Sequence, residues 1–297
     1  MSPASEIALV AGRELKKSTR SIKGIILAIL TLLVSVVAAF ICILAESRLR
    51  AKLGADSTDA FRQAIESGQI KAGTAPDTAH YVATMPLSLI FFLKVLVWVG
   101  PILVMILGFD VVSGDVQHRT VRYWTVRTRR WSYLLGKFFG LWGTVSAITL
   151  ALTLLTSTAV LLWGYMKIGD LFTWGLRCWL ITALILGAWT SLATFISSRF
   201  KTPLLALLTI VGSFFFLWLL EVVGFLLSVR DVIDQSDAPG ADVHVHVRWF
   251  TYLYPNNYDD LLLSPKIAHN AGGLGACAAF MIVFVGLATL LFAKKDV

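Results

Sequence analysis

The stretch Leu87-Ser-Leu-Ile-Phe-Phe-Leu-Lys94-Val-Leu-Val-Trp-Val-Gly-Pro-Ile-Leu-Val-Met-Ile-Leu-Gly-Phe109 decides the fold. Lys94 is its only charge. A helix crossing ~30 Å of hydrocarbon takes about 20 mostly apolar residues, and this run supplies them. Five further runs qualify: Ile25–Ala45, Leu134–Met166, Cys178–Ser197, Pro203–Ser228 and Asn270–Ala293. Of the 297 residues, 57% are hydrophobic and 15% charged, whereas soluble domains carry roughly 25% charged residues. The expectation is an all-α integral membrane protein, a single transmembrane domain over residues 1–297 with six transmembrane helices. A soluble enzyme, a disordered chain and a disulfide-stapled secreted scaffold are excluded. Cys42, Cys178 and Cys277 all fall inside apolar runs, without metal spacing, and read as small packing residues. The first run has 21 residues and no small-residue cleavage site at its end, so it reads as a retained helix rather than a signal peptide.

Outward from these runs, charge sets the orientation. With both termini cytoplasmic, the inner segments hold 15 basic and 5 acidic residues, and the outer ones 10 basic and 12 acidic. Basic residues stay on the cytoplasmic side during insertion, so this topology is favoured. The basic inner face suits anionic membrane lipids, which accounts for the net charge of +8 without nucleic acid.

Residues 1–24 read as an interfacial entry helix. Ser2 can cap it, Pro3 suits the first helical position and Glu6 lies in the first turn. Ile7, Val10, Ala11 and Leu15 recur at helical spacing against Arg13, Lys16, Lys17 and Arg20. A solvated basic tail is the plainer reading. The outer loops are 46–84, with a short helix near Thr58–Ser67, and 229–269. In the second loop, Asp242-Val-His244-Val-His246-Val-Arg248 alternates as a strand does. His244 and His246 share one face there; they could hold a metal, but no third ligand stands at recognisable spacing. Tyr252-Leu-Tyr254-Pro-Asn-Asn-Tyr258 reads as an aromatic anchor at the outer interface, or as part of a gate. Gly136, Gly140 and Gly143, and Gly272/Ala276 with Gly275/Ala279, form small-residue stripes that let helices approach closely. Packing within the chain is their ordinary use, and a subunit seam the other.

Lys94 and Glu221 are the two charges well inside the apolar runs. Each costs on the order of 2.5–3.5 kcal/mol to insert and needs a partner. Both lie about 10 Å below the outer surface at 1.5 Å per residue, which suggests an intramembrane ion pair. Such a pair would tie two helices together or line a substrate path.

The connection 110–137, leaving the membrane at Asp110, is the most informative. It contains Ser113-Gly114-Asp115, a turn able to start a short helix, then Arg119, Thr120, Arg122, Tyr123, Trp124, Arg127, Arg129, Arg130, Trp131 and Lys137. A solvated loop has no use for three aromatics, whereas a loop docked on a protein or on headgroups has. The series Asp110, Ser113, Gly114, Asp115, Arg119, Thr120, Val121, Arg130, Gly136 and Lys137 resembles the inner loop of type-2 ABC transporter permeases. Arg13-Glu14-Leu15 and the terminal Phe292-Ala-Lys-Lys-Asp-Val297 agree with it. Arg119 stands where that family usually has glycine, and Thr128 where a proline often precedes the arginine.

The resemblance covers the whole six-helix layout. It implies two permeases side by side, a homodimer, each resting on a cytoplasmic ABC ATPase, so two ATPase copies. It also implies a coupling element at 110–137, with Asp110, Ser113, Asp115, Arg119, Thr120, Arg122 and Arg130 as its determinants. No G-x-x-x-x-G-K-[ST] sequence is present, so ATP and Mg would be bound by the ATPase and this chain would hold no cofactor. The leading expectation is the transmembrane subunit of an ATP-driven exporter. The alternatives are a non-transporting, ATPase-linked scaffold or immunity subunit, and an ion-coupled secondary transporter using Lys94 and Glu221. A membrane enzyme is disfavoured, because no metal or nucleophile constellation is visible.

Overall fold

A computed structural model describes residues 2–53, 85, 87–163, 167–236 and 249–294. The entry segment forms α1 (Pro3–Arg20), in which Ser2 accepts the N–H of Ser5 and the carbonyl of Lys17 accepts the N–H of Ser21. Glu6 lies in its first turn and Lys17 and Arg20 in its last, each sign at the end the helix dipole favours. Next come α2 (Ile22–Leu53), α3 (Leu87–Gly108), the short helices α4 (Ser113–Gln117) and α5 (Val121–Arg127), and α6 (Arg130–Leu162). A lead-in of Ile168–Asp170 and a π turn, Leu171–Gly175, open α7 (Leu176–Arg199), which is followed by α8 (Pro203–Ser236). The 3-10 turns Trp249–Leu253 and Pro255–Asn257, α9 (Tyr258–Leu263) and α10 (Ile267–Ala293) complete the described chain.

Among the described residues, five helical stretches are long and apolar enough to cross a membrane: Ser88–Gln117, Arg130–Leu162, Ile168–Arg199, Pro203–Leu227 and Ile267–Ala293. They take in five of the six expected runs, so the protein is a multi-pass, all-helical membrane protein. The remaining run, Ile25–Ala45, lies within α2, where Gly24–Val34 is the apolar part among the described residues. The short helix expected near Thr58–Ser67 and the strand carrying His244 and His246 lie outside the described residues. Helix also continues further than the loop boundaries suggested, to Leu53 in α2 and Ser236 in α8.

The core sits around α7, which packs on α10, α6 and α3. Its inward side chains include Thr182, Thr190, Ser191, Thr194, Ser197 and Ser198, all buried. A hydroxyl survives burial by bonding the carbonyl of the preceding turn: Thr182 donates to Cys178, Thr190 to Leu186 and Thr194 to Thr190. By contrast α8 turns Leu204, Leu208, Phe215, Phe216 and Phe225 outward, as a lipid-facing helix does.

The stripe on α6 serves packing within the chain. A Cβ on Gly136 would stand 2.5 Å from Val10 Cβ, and one on Gly140 2.6 Å from Glu14 Cβ, so α1 lies directly on the α6 backbone. On α10 the outcome differs, since among the described residues nothing lies within 4 Å of a Cβ on Gly272 or Gly275.

Candidate functional site

Two polar constellations stand at opposite ends of the bundle. The first is built where α3 gives way to α4 and α5. α4 starts without a side-chain cap of its own; its cap comes from α7. Ser197 Oγ accepts the N–H of Val112 and of Ser113, both at 3.1 Å, and donates to the carbonyl of Phe109 at 3.0 Å. Ser113 donates back to Phe109 at 2.7 Å. After α4, Arg119 has φ of 56°, a left-handed backbone that costs an L residue ~1–2 kcal/mol and a glycine nothing. The glycine usual in type-2 permeases at this position therefore has a conformational reason, and the arginine here adopts the same turn.

Asp115 faces inward, not outward. Its Oδ2 lies 2.7 Å from Lys137 Nζ and accepts the Tyr133 hydroxyl at 2.7 Å. Lys137, 3% exposed, also meets Glu14 Oε2 at 2.6 Å, and Lys17 approaches Asp115 Oδ1 at 3.7 Å. Two ammoniums and two carboxylates thus close a balanced network joining α1, α4 and α6. A charge taken out of water is tolerated when paired and hydrogen-bonded in this way. Glu6 of α1 accepts the N–H of Arg129 at the start of α6, and Arg13 stacks over Trp124 at 4.7 Å from the ring centre. The entry helix is therefore built into the bundle through Glu6, Val10 and Glu14, one i, i+4, i+8 face.

The expected coupling residues divide accordingly. Ser113 and Thr120 bond within the turn, donating to the Phe109 and Asp115 carbonyls at 2.7 and 3.2 Å, whereas the Asp115 side chain bonds to Tyr133 of α6. Asp110, half-buried, opens the turn, and its carbonyl accepts the N–H of Gly114 at 3.0 Å. Arg130 reaches across to the Ala293 carbonyl at the end of α10, 2.9 Å away. Arg119, Arg122 and Tyr123 are exposed. Of the three aromatics, Tyr123 is 79% exposed and Trp131 40%, whereas Trp124 packs on Tyr133.

The second constellation corrects the expected partner of Lys94. Its ammonium pairs with Asp259 Oδ2 at 2.6 Å and Asp260 Oδ1 at 3.1 Å, not with Glu221. Among the described residues, Glu221 Oε2 is buried without a hydrogen-bond partner. Residues 249–263 pack into the bundle and bring two carboxylates to Lys94, which depth along α3 and α8 alone does not reveal. Asn256 anchors that segment: its amide donates to the Val97 carbonyl at 3.0 Å and accepts from Trp189 Nε1 at 2.8 Å. Arg177 holds the end of α9 through the carbonyls of Leu262 and Ser264, both at 3.0 Å. Burial pushes the Asp259 carboxyl up, against the pull of the Lys94 ammonium. Sequence reasoning missed Asp259, Asp260, Asn256, Trp189 and Arg177. The signal available was the need of Lys94 for carboxylates, with Asp259-Asp260 next to an aromatic cluster.

A bundle of apolar spans with a short-helix turn locked onto an entry helix defines the class: a multi-pass membrane permease. The family model described as ABC-2 family transporter protein matches residues 8–297, and the chain belongs to that family. It is a family of transporter permeases rather than of enzymes, whose members work with ATPase subunits and a second permease. No curated protein matches the chain. Among the described residues no group of three or more His, Cys, Asp or Glu could hold a metal.

Proposed function

We propose that this chain is the transmembrane subunit of an ATP-driven exporter, working as a homodimer on two ATPase subunits. In this reading α2 supplies the sixth span, α1 lies along the inner leaflet, and both termini and residues 110–137 are cytoplasmic. The observation that carries it is the division of labour in the α4–α5 turn. Its tip presents Arg119, Arg122 and Tyr123, while its base is fixed to α1, α6 and α7 by the Asp115–Lys137–Glu14 network and by Ser197. A force applied at such a tip moves several helices as one body, which is what coupling to a nucleotide-driven ATPase requires. Closure of the ATPases on ATP and Mg would draw the two turns together and shift the permease from inward-open to outward-open.

At the other end, the docked 249–264 segment is the outer gate, with Lys94 and Glu221 on the polar lining of the path it closes. Opening means releasing Asp259 and Asp260 from Lys94.

Charge reversal at the tip tests the coupling reading. Arg122→Glu should weaken capture of the ATPase from detergent extracts by about tenfold, on the order of 1–3 kcal/mol for a buried charged contact, with permease yield unchanged. Full capture by Arg122→Glu and by Arg119→Glu would move the contact elsewhere.

A further inference from the structure

The balanced network at the base of the turn leaves an opening beside it. A cleft of about 310 Å³ lies between α1 and the α4–α5 turn, lined by Arg13, Lys17, His118, Thr120 and Trp124, with Glu14, Asp115 and Lys137 in its wall. Arg13, Lys17 and His118 are exposed. The Arg13 guanidinium lies over the Trp124 ring, and stacking of this kind fixes its plane and orients its N–H groups. The two carboxylates in the wall are already paired, Glu14 with Lys137 and Asp115 with Lys137 and, at 3.7 Å, Lys17, so a cation entering the cleft would compete with ammoniums in place. Counting Arg13, Lys17 and Lys137 against Glu14 and Asp115, the cleft carries one net positive charge.

We propose that this cleft is a binding site for one phosphodiester monoanion, filled by the headgroup phosphate of an anionic phospholipid. The charge matches one phosphodiester. Arginine binds phosphate through paired N–H donors, and Lys17 and His118 stand at the rim to complete the cradle. The volume suits a headgroup, at the lower limit of small-ligand pockets. A zwitterionic headgroup brings an ammonium for which the cleft offers no open carboxylate, so an anionic lipid is selected over a choline lipid. Basic pockets next to transmembrane helices recognise acidic headgroups by this chemistry. The site would join the lipid surface to α1 and the turn, so that headgroup binding stiffens the element proposed to meet the ATPase. Assignment to the inner leaflet rests on the topology proposed above; the cleft chemistry does not.

The test is native mass spectrometry of the full-length protein in detergent, incubated with equal amounts of dioleoyl phosphatidylglycerol and dioleoyl phosphatidylcholine. The wild type should retain phosphatidylglycerol at least fivefold over phosphatidylcholine. Arg13→Gln with Lys17→Gln should bring the two lipids to parity, and Arg13→Gln alone should lose most of the preference. Lys201→Gln, which removes an exposed cation outside the cleft, should keep it. Both variants must elute as the wild type does in size exclusion, and Arg13→Gln alone leaves every pair of the Lys137 network in place. Millimolar glycerophosphoglycerol identifies the source. Failure to displace the lipid supports a membrane headgroup, whereas displacement with thermal stabilisation of the delipidated wild type assigns the cleft to a soluble phosphodiester. Equal retention of both lipids, an unchanged preference in the double variant, or an equal loss in Lys201→Gln overturns the proposal. Outside labelling of the turn would refute the topology while leaving the lipid preference intact.

Discussion

Lys137 is the residue on which the base of the turn depends. Its ammonium is almost wholly buried and serves two carboxylates from two other helices. Lys137→Met therefore leaves Glu14 buried without its ammonium and Asp115 with Lys17 alone, 3.7 Å away, a loss of ~3–5 kcal/mol. Thermal unfolding in detergent should show it, and adding Glu14→Gln and Asp115→Asn should recover much of it. Asp115→Lys belongs to the same category. It places a third ammonium in the network and should lower folded yield, so it does not report on the ATPase contact. Arg119 is the opposite case. Arg119→Gly relieves a left-handed arginine and should leave thermal stability unchanged or raise it by up to ~1 kcal/mol, while ATPase capture falls. The sequence made the need of Lys94 for a partner legible, because a lone charge in an apolar run is costly. It could not show which carboxylate answers, since Asp259 and Asp260 lie 165 and 166 positions away along the chain. Asp115 stands out in the sequence, but its direction does not, because that depends on Lys137 and Tyr133 from another helix.

At the scale of the element, α4 is a five-residue helix too short to be stable alone, and it exists because α7 caps it. Ser197→Ala removes the acceptor for two buried N–H groups and should cost ~1–2 kcal/mol. Hydrogen exchange should show faster exchange at Val112 and Ser113, with α7 itself unaffected. No change there would mean the cap does not hold the turn. The docking of α1 is equally specific. Gly140→Ala places a methyl where Glu14 already stands and should cost ~1–3 kcal/mol by overpacking. Gly12→Ala, with nothing within 4 Å, should gain up to ~1 kcal/mol from helix propensity. The long apolar helices were readable from run length alone, and the α1 cap from Ser2 and Pro3. The inserted 249–263 segment was not, because Tyr252, Tyr254 and Tyr258 look the same as interfacial anchors whether they dip into the bundle or rest on it.

Over the whole molecule, the proposed function gives the locked turn at one end the role of coupling and the docked segment at the other the role of closure. The sequence bears on sidedness only through charge bias, since basic residues mark orientation through insertion rather than through any contact in the fold. Cysteine labelling checks it. A cysteine at Gly73 or Pro239 should react with an impermeant reagent from outside intact cells, and one at Gln117 should not. The most direct test of the central claim is photocrosslinking from the tip of the turn. A benzophenone amino acid replacing Tyr123, in membranes that contain the cognate ATPase, should yield a crosslink to that ATPase. The yield should change between nucleotide-free and ATP-bound conditions. Crosslinks to lipid alone, with full ATPase capture in the same membranes, would contradict the account.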